Sequence, residues 1–307
     1  MTNPSFCVII PNFNYRHFLE EAIQSCLMQT QPPDEILVCD NASTDESVAM
    51  LKALNLNSLK IEVREKNLGL FENLNLGLRS TQCDYVKILC ADDLMHSRCL
   101  ELLAESIQKS SHIVNSLSVG IAHELSMMNH DGENVVFDCV ESCQVPRLIG
   151  QRVALSLSDM CYKRDTFLDF GGFGITNATQ DYSLDAVTAL KFANRFGMNW
   201  THTKLVFERP HPGQHRRFMP KLNQIDEFLS VYEELSVSED PRVRRAIDFL
   251  VSNHMGSGFA RCLALQGTSY LSQVIRRARS HNELRWYQFL RGAYQVPRLL
   301  LSRILPS

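Results

Sequence analysis

Tyr85-Val86-Lys87-Ile88-Leu89-Cys90-Ala91-Asp92-Asp93 decides how this 307-residue chain is read. Tyr85 to Leu89 is the kind of run that forms a buried parallel strand, and two adjacent carboxylates follow it. In open α/β sheets ligands bind beyond the carboxyl ends of the strands. A side-by-side acid pair placed there suits a hard divalent cation holding a diphosphate. Taken alone, the pair has a second reading: Asp-Asp also starts helices, with Asp93 capping one that begins near Ser97.

Two further segments repeat the pattern. Val8-Ile9-Ile10-Pro11-Asn12-Phe13-Asn14 precedes a helical stretch from His17 to Gln29. Glu35-Ile36-Leu37-Val38-Cys39-Asp40-Asn41-Ala42-Ser43-Thr44-Asp45 leads into another helix. Each is a strand, a polar turn and a helix, so all three polar ends share one edge of a parallel sheet. Strands near 5–11, 34–39, 59–63 and 84–90, alternating with helices near 17–29, 45–54, 70–80 and 97–109, predict an α/β fold with a doubly wound, mostly parallel, Rossmann-like sheet. Later strands are expected near 117–127 and 134–139, joined by the turn Asn129-His130-Asp131-Gly132, then from Leu155 to Tyr162 and from Trp200 to Glu208. A helix from Arg164 to Phe170 should break at Gly171-Gly172, and one from Asp181 to Phe196 should close at Gly197. From Lys221 onward helical patterns dominate. The proline- and glycine-rich stretch from Pro210 to Pro220 sets the expected boundary: a domain over 1–219, with halves 1–110 and 111–219, and a helical extension over 220–307.

The composition is ordinary for a globular chain, 45% hydrophobic and 21% charged with formal net charge −3. That balance, without a basic, aromatic-interleaved motif, argues against a nucleic-acid partner. Ten cysteines occur without a Cys-x-x-Cys pair, which reads as reduced thiols in a cytoplasmic protein. No leader peptide is expected, and no apolar segment reaches the ~20 residues of a membrane span. The C-terminal stretch from Trp286 to Leu305 mixes aromatic and leucine side chains with Arg291, Arg298 and Arg303. Two readings stay open for it: peripheral contact with an anionic membrane face, or a packed terminal helix.

Pro11-Asn12-Phe13-Asn14, Ser25-Cys26-Leu27-Met28-Gln29-Thr30, Asp40-Asn41-Ala42-Ser43-Thr44-Asp45, Asn67-Leu68-Gly69 and Ala91-Asp92-Asp93 stand in the order and spacing of one family. The chain resembles glycosyltransferase family 2, specifically over the N-terminal third and more weakly toward the Pro210–Pro220 stretch. The resemblance implies a GT-A fold and an inverting transfer from a nucleoside-diphosphate sugar, a UDP-sugar first, to a hydroxyl of a glycan or lipid-linked acceptor in cell-surface polysaccharide or glycolipid assembly. It also implies Mg²⁺ or Mn²⁺.

Carried over residue by residue, the resemblance puts Pro11, Asn12, Phe13, Asn14, Asp40, Asn41 and Asn67 at the nucleoside. It makes Asp93 the direct metal ligand and sends Asp92 to the ribose or, through water, to the metal. His211, in Glu208-Arg209-Pro210-His211-Pro212-Gly213, resembles the family's Arg-x-His, whose histidine meets the metal or diphosphate, and Arg209 is a candidate phosphate donor. Asp181 is the candidate general base, with Asp185 a turn later as fallback. Plainer readings run alongside these: turn formation for Asn12 and Asn14, and helix capping for Ser43, Asp45 and Asp181. Two departures stand out, Asn41 where the family commonly has Asp and Gln180 where it has Glu. They prompt an alternative, a catalytically degenerate nucleotide-sugar binder. A nucleotidyltransferase is the other alternative, but the turn after the first strand lacks the Gly-rich, basic loop such enzymes use.

Overall fold

The computed structural model describes residues 3–109, 115–121, 138–140, 156–174 and 184–211. Gln180, Asp181, the turn at 129–132 and everything after His211, including the helical extension and the arginine-rich end, lie outside the described residues.

The first half runs β1 (Phe6–Asn12), α1 (Arg16–Leu27), β2 (Glu35–Asp40), α2 (Ser47–Leu54), β3 (Leu59–Val63), α3 (Leu70–Ser80), β4 (Tyr85–Ile88), β5 (Asp93–Met95) and α4 (Cys99–Lys109). It continues with β6 (Asn115–Ile121), β7 (Asp138–Val140), a 3₁₀ turn (Leu157–Asp159), β8 (Cys161–Lys163), α5 (Arg164–Phe170), α6 (Leu184–Phe196) and β9 (Met198–Glu208).

The main sheet has the order β3-β2-β1-β4-β8. Its first four strands are mutually parallel, and β8 closes the edge antiparallel to β4. Central β1 is buried along its whole length, which is why its sequence is continuously apolar rather than alternating. Pro11 is tolerated there because of register. Ile9 O accepts from Leu89 N while Asn12 O accepts from Asn41 N, so the missing N–H of Pro11 falls on the β4 side. The β1–β4 pairing has stopped at Ile9, and no ladder bond is lost. Helix α3 lies close on β1 and β2 because Gly77 has no side chain: a Cβ there would stand 2.6 Å from Cys39 Sγ.

A second sheet has the order β5-β9-β6, with β7 also pairing β9. It brings the end of β9 to the acid pair, since Asp93 is the antiparallel partner of Glu208.

One alternative reading falls away and one expectation needs correction. Asp93 does not cap a helix. It is the first residue of β5, and α4 begins only at Cys99, its entry held by His96 Nδ1, which accepts from Arg98 N at 3.1 Å. The segment expected as one strand up to Tyr162 is a 3₁₀ turn followed by the short β8. A local capping box closes the turn, with Asp159 Oδ2 accepting from Ser156 N at 3.0 Å.

Candidate active site

The loops after β1 and β2 are laced by amides and hydroxyls. Asn12 is buried at the end of β1, and its Nδ2 donates to Asp40 Oδ2 at 2.7 Å and Ser43 Oγ at 3.1 Å. Asp40, also fully buried, accepts from Ser43 N through Oδ1 at 2.9 Å. Asn14 takes a left-handed backbone, φ 61°, as Asn tolerates. Its Oδ1 accepts from the main-chain N of Thr44 and Asp45 at 2.7 and 3.2 Å, and its own N donates to Ser43 Oγ at 2.9 Å. Ser43 thus joins two loops rather than capping α2. Asp45 does serve helix starts, two of them, accepting from Arg16 N and Ser47 N at 3.0 Å each.

Asn41 reaches the next loop. Its Nδ2 donates to Asn67 Oδ1 at 2.8 Å and Gly69 O at 3.1 Å, and its Oδ1 accepts from Leu68 N at 2.9 Å. An ionised carboxylate has no proton for the first two partners. The departure from the family's commoner acid is therefore matched to this loop, and Asn67 acts together with Asn41. Within the network Asn12 Oδ1 is buried and has no partner among the described residues. Phe13 stands at its edge, 41% exposed.

The acid pair has a different character. Asp93 is buried, 6% exposed, and its Oδ2 accepts from Ser158 Oγ at 2.5 Å. Asp92 is the more open of the two, and its Oδ2 shares a hydrogen bond with His211 Nε2 at 3.0 Å. The His211 ring is held by Phe18, with centroids 4.6 Å apart, and by Tyr15 edge-on at 5.6 Å. Ligand atoms of Cys90, Asp92 and Asp93 all lie within 4.8 Å of one another. Burial first, then the Asp92 charge, with Glu208 and Asp159 adding, pushes the Asp93 carboxyl up to about 8 against the pull of Ser158. Burial, with Asp93 and Asp92 adding, pushes the Cys90 thiol well above its ordinary range. Asp185, on the first turn of α6, is near enough to contribute to that shift.

Carboxylate oxygens beside an imidazole nitrogen fit Mg²⁺ or Mn²⁺, and a divalent cation held there would relieve this crowding of like charge.

Arg209 departs from its expected role. Its guanidinium is buried and donates to the main-chain oxygens of Asp92 at 2.8 Å, Ala91 at 3.1 Å and Phe18 at 2.8 Å. It also pairs with Glu21 at 2.7 Å, and its carbon lies 5.0 Å from the Phe18 ring centroid. It staples the backbone of the acid motif to α1 rather than presenting itself to a phosphate. Two residues that sequence reading passed over also frame the motif. Ser158 was hidden because its partner Asp93 is 65 positions away. Lys87 sits inside an apolar strand run and is fully buried.

A parallel sheet whose strand ends gather amide-laced loops on one side and an acid pair with a histidine on the other is the GT-A class of fold. Residues 7–138 match the model of glycosyl transferase family 2. An uncharacterized glycosyltransferase of Nostoc sp. (strain PCC 7120) is 33% identical over 143 residues, covering 46% of this chain and 42% of the relative. One of Haemophilus influenzae is 29% identical over 112 residues, covering 36% and 35%. The chain thus spans less than half the length of these relatives. Among solved structures, S. aureus TarS 1–349 in complex with UDP-GlcNAc superposes with a TM-score of 0.63 at 16% identity, covering 94% of this chain and 79% of that one. The mannosyltransferase PcManGT from Pyrobaculum calidifontis, in complex with GDP-Man and Mn²⁺, gives 0.56 at 17% identity, covering 96% and 88%. At these identities the likeness is one of fold. Among the described residues no helix is long and apolar enough to cross a membrane.

Proposed function

We propose that the chain is a metal-dependent glycosyltransferase, moving a sugar from a nucleoside diphosphate to a hydroxyl with inversion. The observation that carries this reading is the Asp92–His211 pair at 3.0 Å beside Asp93, beyond the end of β4 in a family 2 domain. Asp92 and His211 are the accessible ligands, with Asp93 behind them. Mg²⁺ or Mn²⁺ bound there supplies positive charge for the departing diphosphate. Arg209 keeps the main chain of the acid motif in place against α1. The nucleoside lies over the loops fastened by Asn12, Asn14, Asp40 and Asn41, with the exposed Phe13 ring offering the base a flat face. Asp181 takes the proton of the acceptor hydroxyl as the sugar carbon gains positive character. That role rests on the resemblance of its segment, and Asp185 is the fallback.

The UDP-GlcNAc complex of TarS favours a UDP-sugar donor. A glycan or lipid-linked acceptor, with the arginine-rich end resting on an anionic membrane face, completes the proposal. The test is a panel of UDP- and GDP-sugars with and without Mn²⁺, following nucleotide release and the anomeric configuration of the product. Cation-dependent turnover with inversion supports the reading. If every nucleotide sugar fails to bind in the presence of Mn²⁺, the reading is wrong.

A further inference from the structure

The 3₁₀ turn beside β4 does more than fill space. Ser158 is buried, and its hydroxyl meets the acid motif at two points. It accepts from Cys90 N at 2.9 Å and donates to Asp93 Oδ2 at 2.5 Å. The directions follow from the groups: a main-chain N–H only donates, so the hydroxyl proton is left for the carboxylate. The main-chain oxygen of Ser158 is held in turn by Lys87, whose ammonium donates both to it and, at 3.0 Å, to Ile88 O. A lysine with no exposed surface is costly unless its protons find partners, and these two carbonyls supply them. Lys87 belongs to the strand that runs into Cys90 and Asp92. Strand, turn and carboxylate are therefore tied in sequence: Lys87 to the Ser158 main chain, Ser158 Oγ to Asp93. With Oδ2 engaged by the hydroxyl, Asp93 is held in one orientation, and its second oxygen is the one left for a cation.

We propose that Ser158 is a positioning residue of the cation site, fixing the Asp93 carboxylate as one donor beside Asp92, and that Lys87 anchors Ser158. The inference rests on the metal reading above. Partners of this kind, one bond behind a ligand, cost about 10–100-fold in metal affinity or activity when removed.

The experiment is Mn²⁺ titration of the full chain by electron paramagnetic resonance with saturating UDP, or GDP if UDP does not bind, on wild type, Ser158→Ala and Ser158→Cys. Metal-free nucleotide affinity and the melting temperature are measured in parallel. Ser158→Ala should bind Mn²⁺ about 10-fold or more weakly while metal-free nucleotide affinity is unchanged. Ser158→Cys, which keeps a weaker donor, should fall between; if the alanine variant does not fold, the cysteine variant carries the comparison. Wild-type Mn²⁺ affinity in a folded variant overturns the role of Ser158 and leaves the metal site standing. Absence of Mn²⁺ binding to wild type overturns both.

Discussion

The two halves of the candidate site are held by opposite kinds of chemistry. On the β1–β2 side, Asn12, Asn14, Asp40, Asn41 and Ser43 form a network in which neutral donors meet acceptors at ordinary distances. Among the described residues, Asn12 Oδ1 is the one buried side-chain atom of this network without a partner. On the β4–β5 side, Asp92 and Asp93 sit together with Glu208 opposite, and Asp93 is pushed up to about 8 by burial and its neighbours. On that side like charges crowd a buried carboxyl. The contrast separates a hydrogen-bonded scaffold from a crowded acid pair: Asn41 ties two loops together, Arg209 staples the acid motif's backbone to α1, and Asp92 with His211 is the pair proposed above to meet a cation.

The largest expected effect lies outside both halves. Asp181→Asn should keep donor affinity and lose transfer by about 10²–10⁴-fold, the usual worth of a positioned general base. Unchanged turnover at saturating donor and acceptor transfers the role to Asp185.

Next is Arg209→Met, which tests whether that arginine is a staple. It leaves the main-chain oxygens of Phe18, Ala91 and Asp92 short of a donor and should cost about 2–4 kcal/mol of stability in chemical denaturation. Were Arg209 instead a phosphate ligand, the melting curve would hardly move while diphosphate affinity fell.

Asn41→Asp probes the neutral half. It replaces two donated protons with charge facing Asn67 Oδ1 and Gly69 O. The expected cost is about 1–3 kcal/mol, with nucleoside affinity weakened even when metal is absent. An unaffected melting temperature would mean that the loop does not depend on this amide.

A pH dependence at Asp159, in the 3₁₀ turn beside Ser158, bears on the acid side through stability rather than through ligand binding. Burial pushes Asp159 from 3.8 up to about 7, so the folded chain keeps a proton that the unfolded chain has lost. The resulting stabilisation is fully present below the unfolded value and is lost as pH rises through about 7. Asp159→Asn should therefore flatten the fall in stability across that window. An unchanged slope relative to wild type removes Asp159 as its source.

Much of the scaffold was readable from local pattern. Apolar runs ending in Asn12, Asp40 and Asp92 announced three strand ends on one edge, and the Gly171 and Gly197 stops fell where helices close. What escaped had no local signal. β5 is three residues long and starts on an acid, so it looked like a helix cap. The 3₁₀ turn hid in Leu155-Ser156-Leu157-Ser158-Asp159-Met160, whose alternation suits a strand equally well. Arg209 read as part of a basic loop, because only the three-dimensional structure shows α1 and the Ala91–Asp92 backbone closing around it. Ser158 and Lys87 gain their importance from partners across the fold or from burial, neither of which a linear motif records. Asn41 was the exception: its departure from the family's commoner acid was visible, and the geometry gives it a reason.

The central claim is that Asp92 and His211 complete a divalent-cation site that holds a nucleoside diphosphate. Isothermal titration of UDP and GDP into wild type and Asp92→Asn, each with and without Mn²⁺, tests it most directly. The predicted result is nucleotide binding strengthened by Mn²⁺ in wild type and indifferent to Mn²⁺ in the variant, with both proteins equally folded. Binding that Mn²⁺ strengthens equally in the two proteins would contradict it.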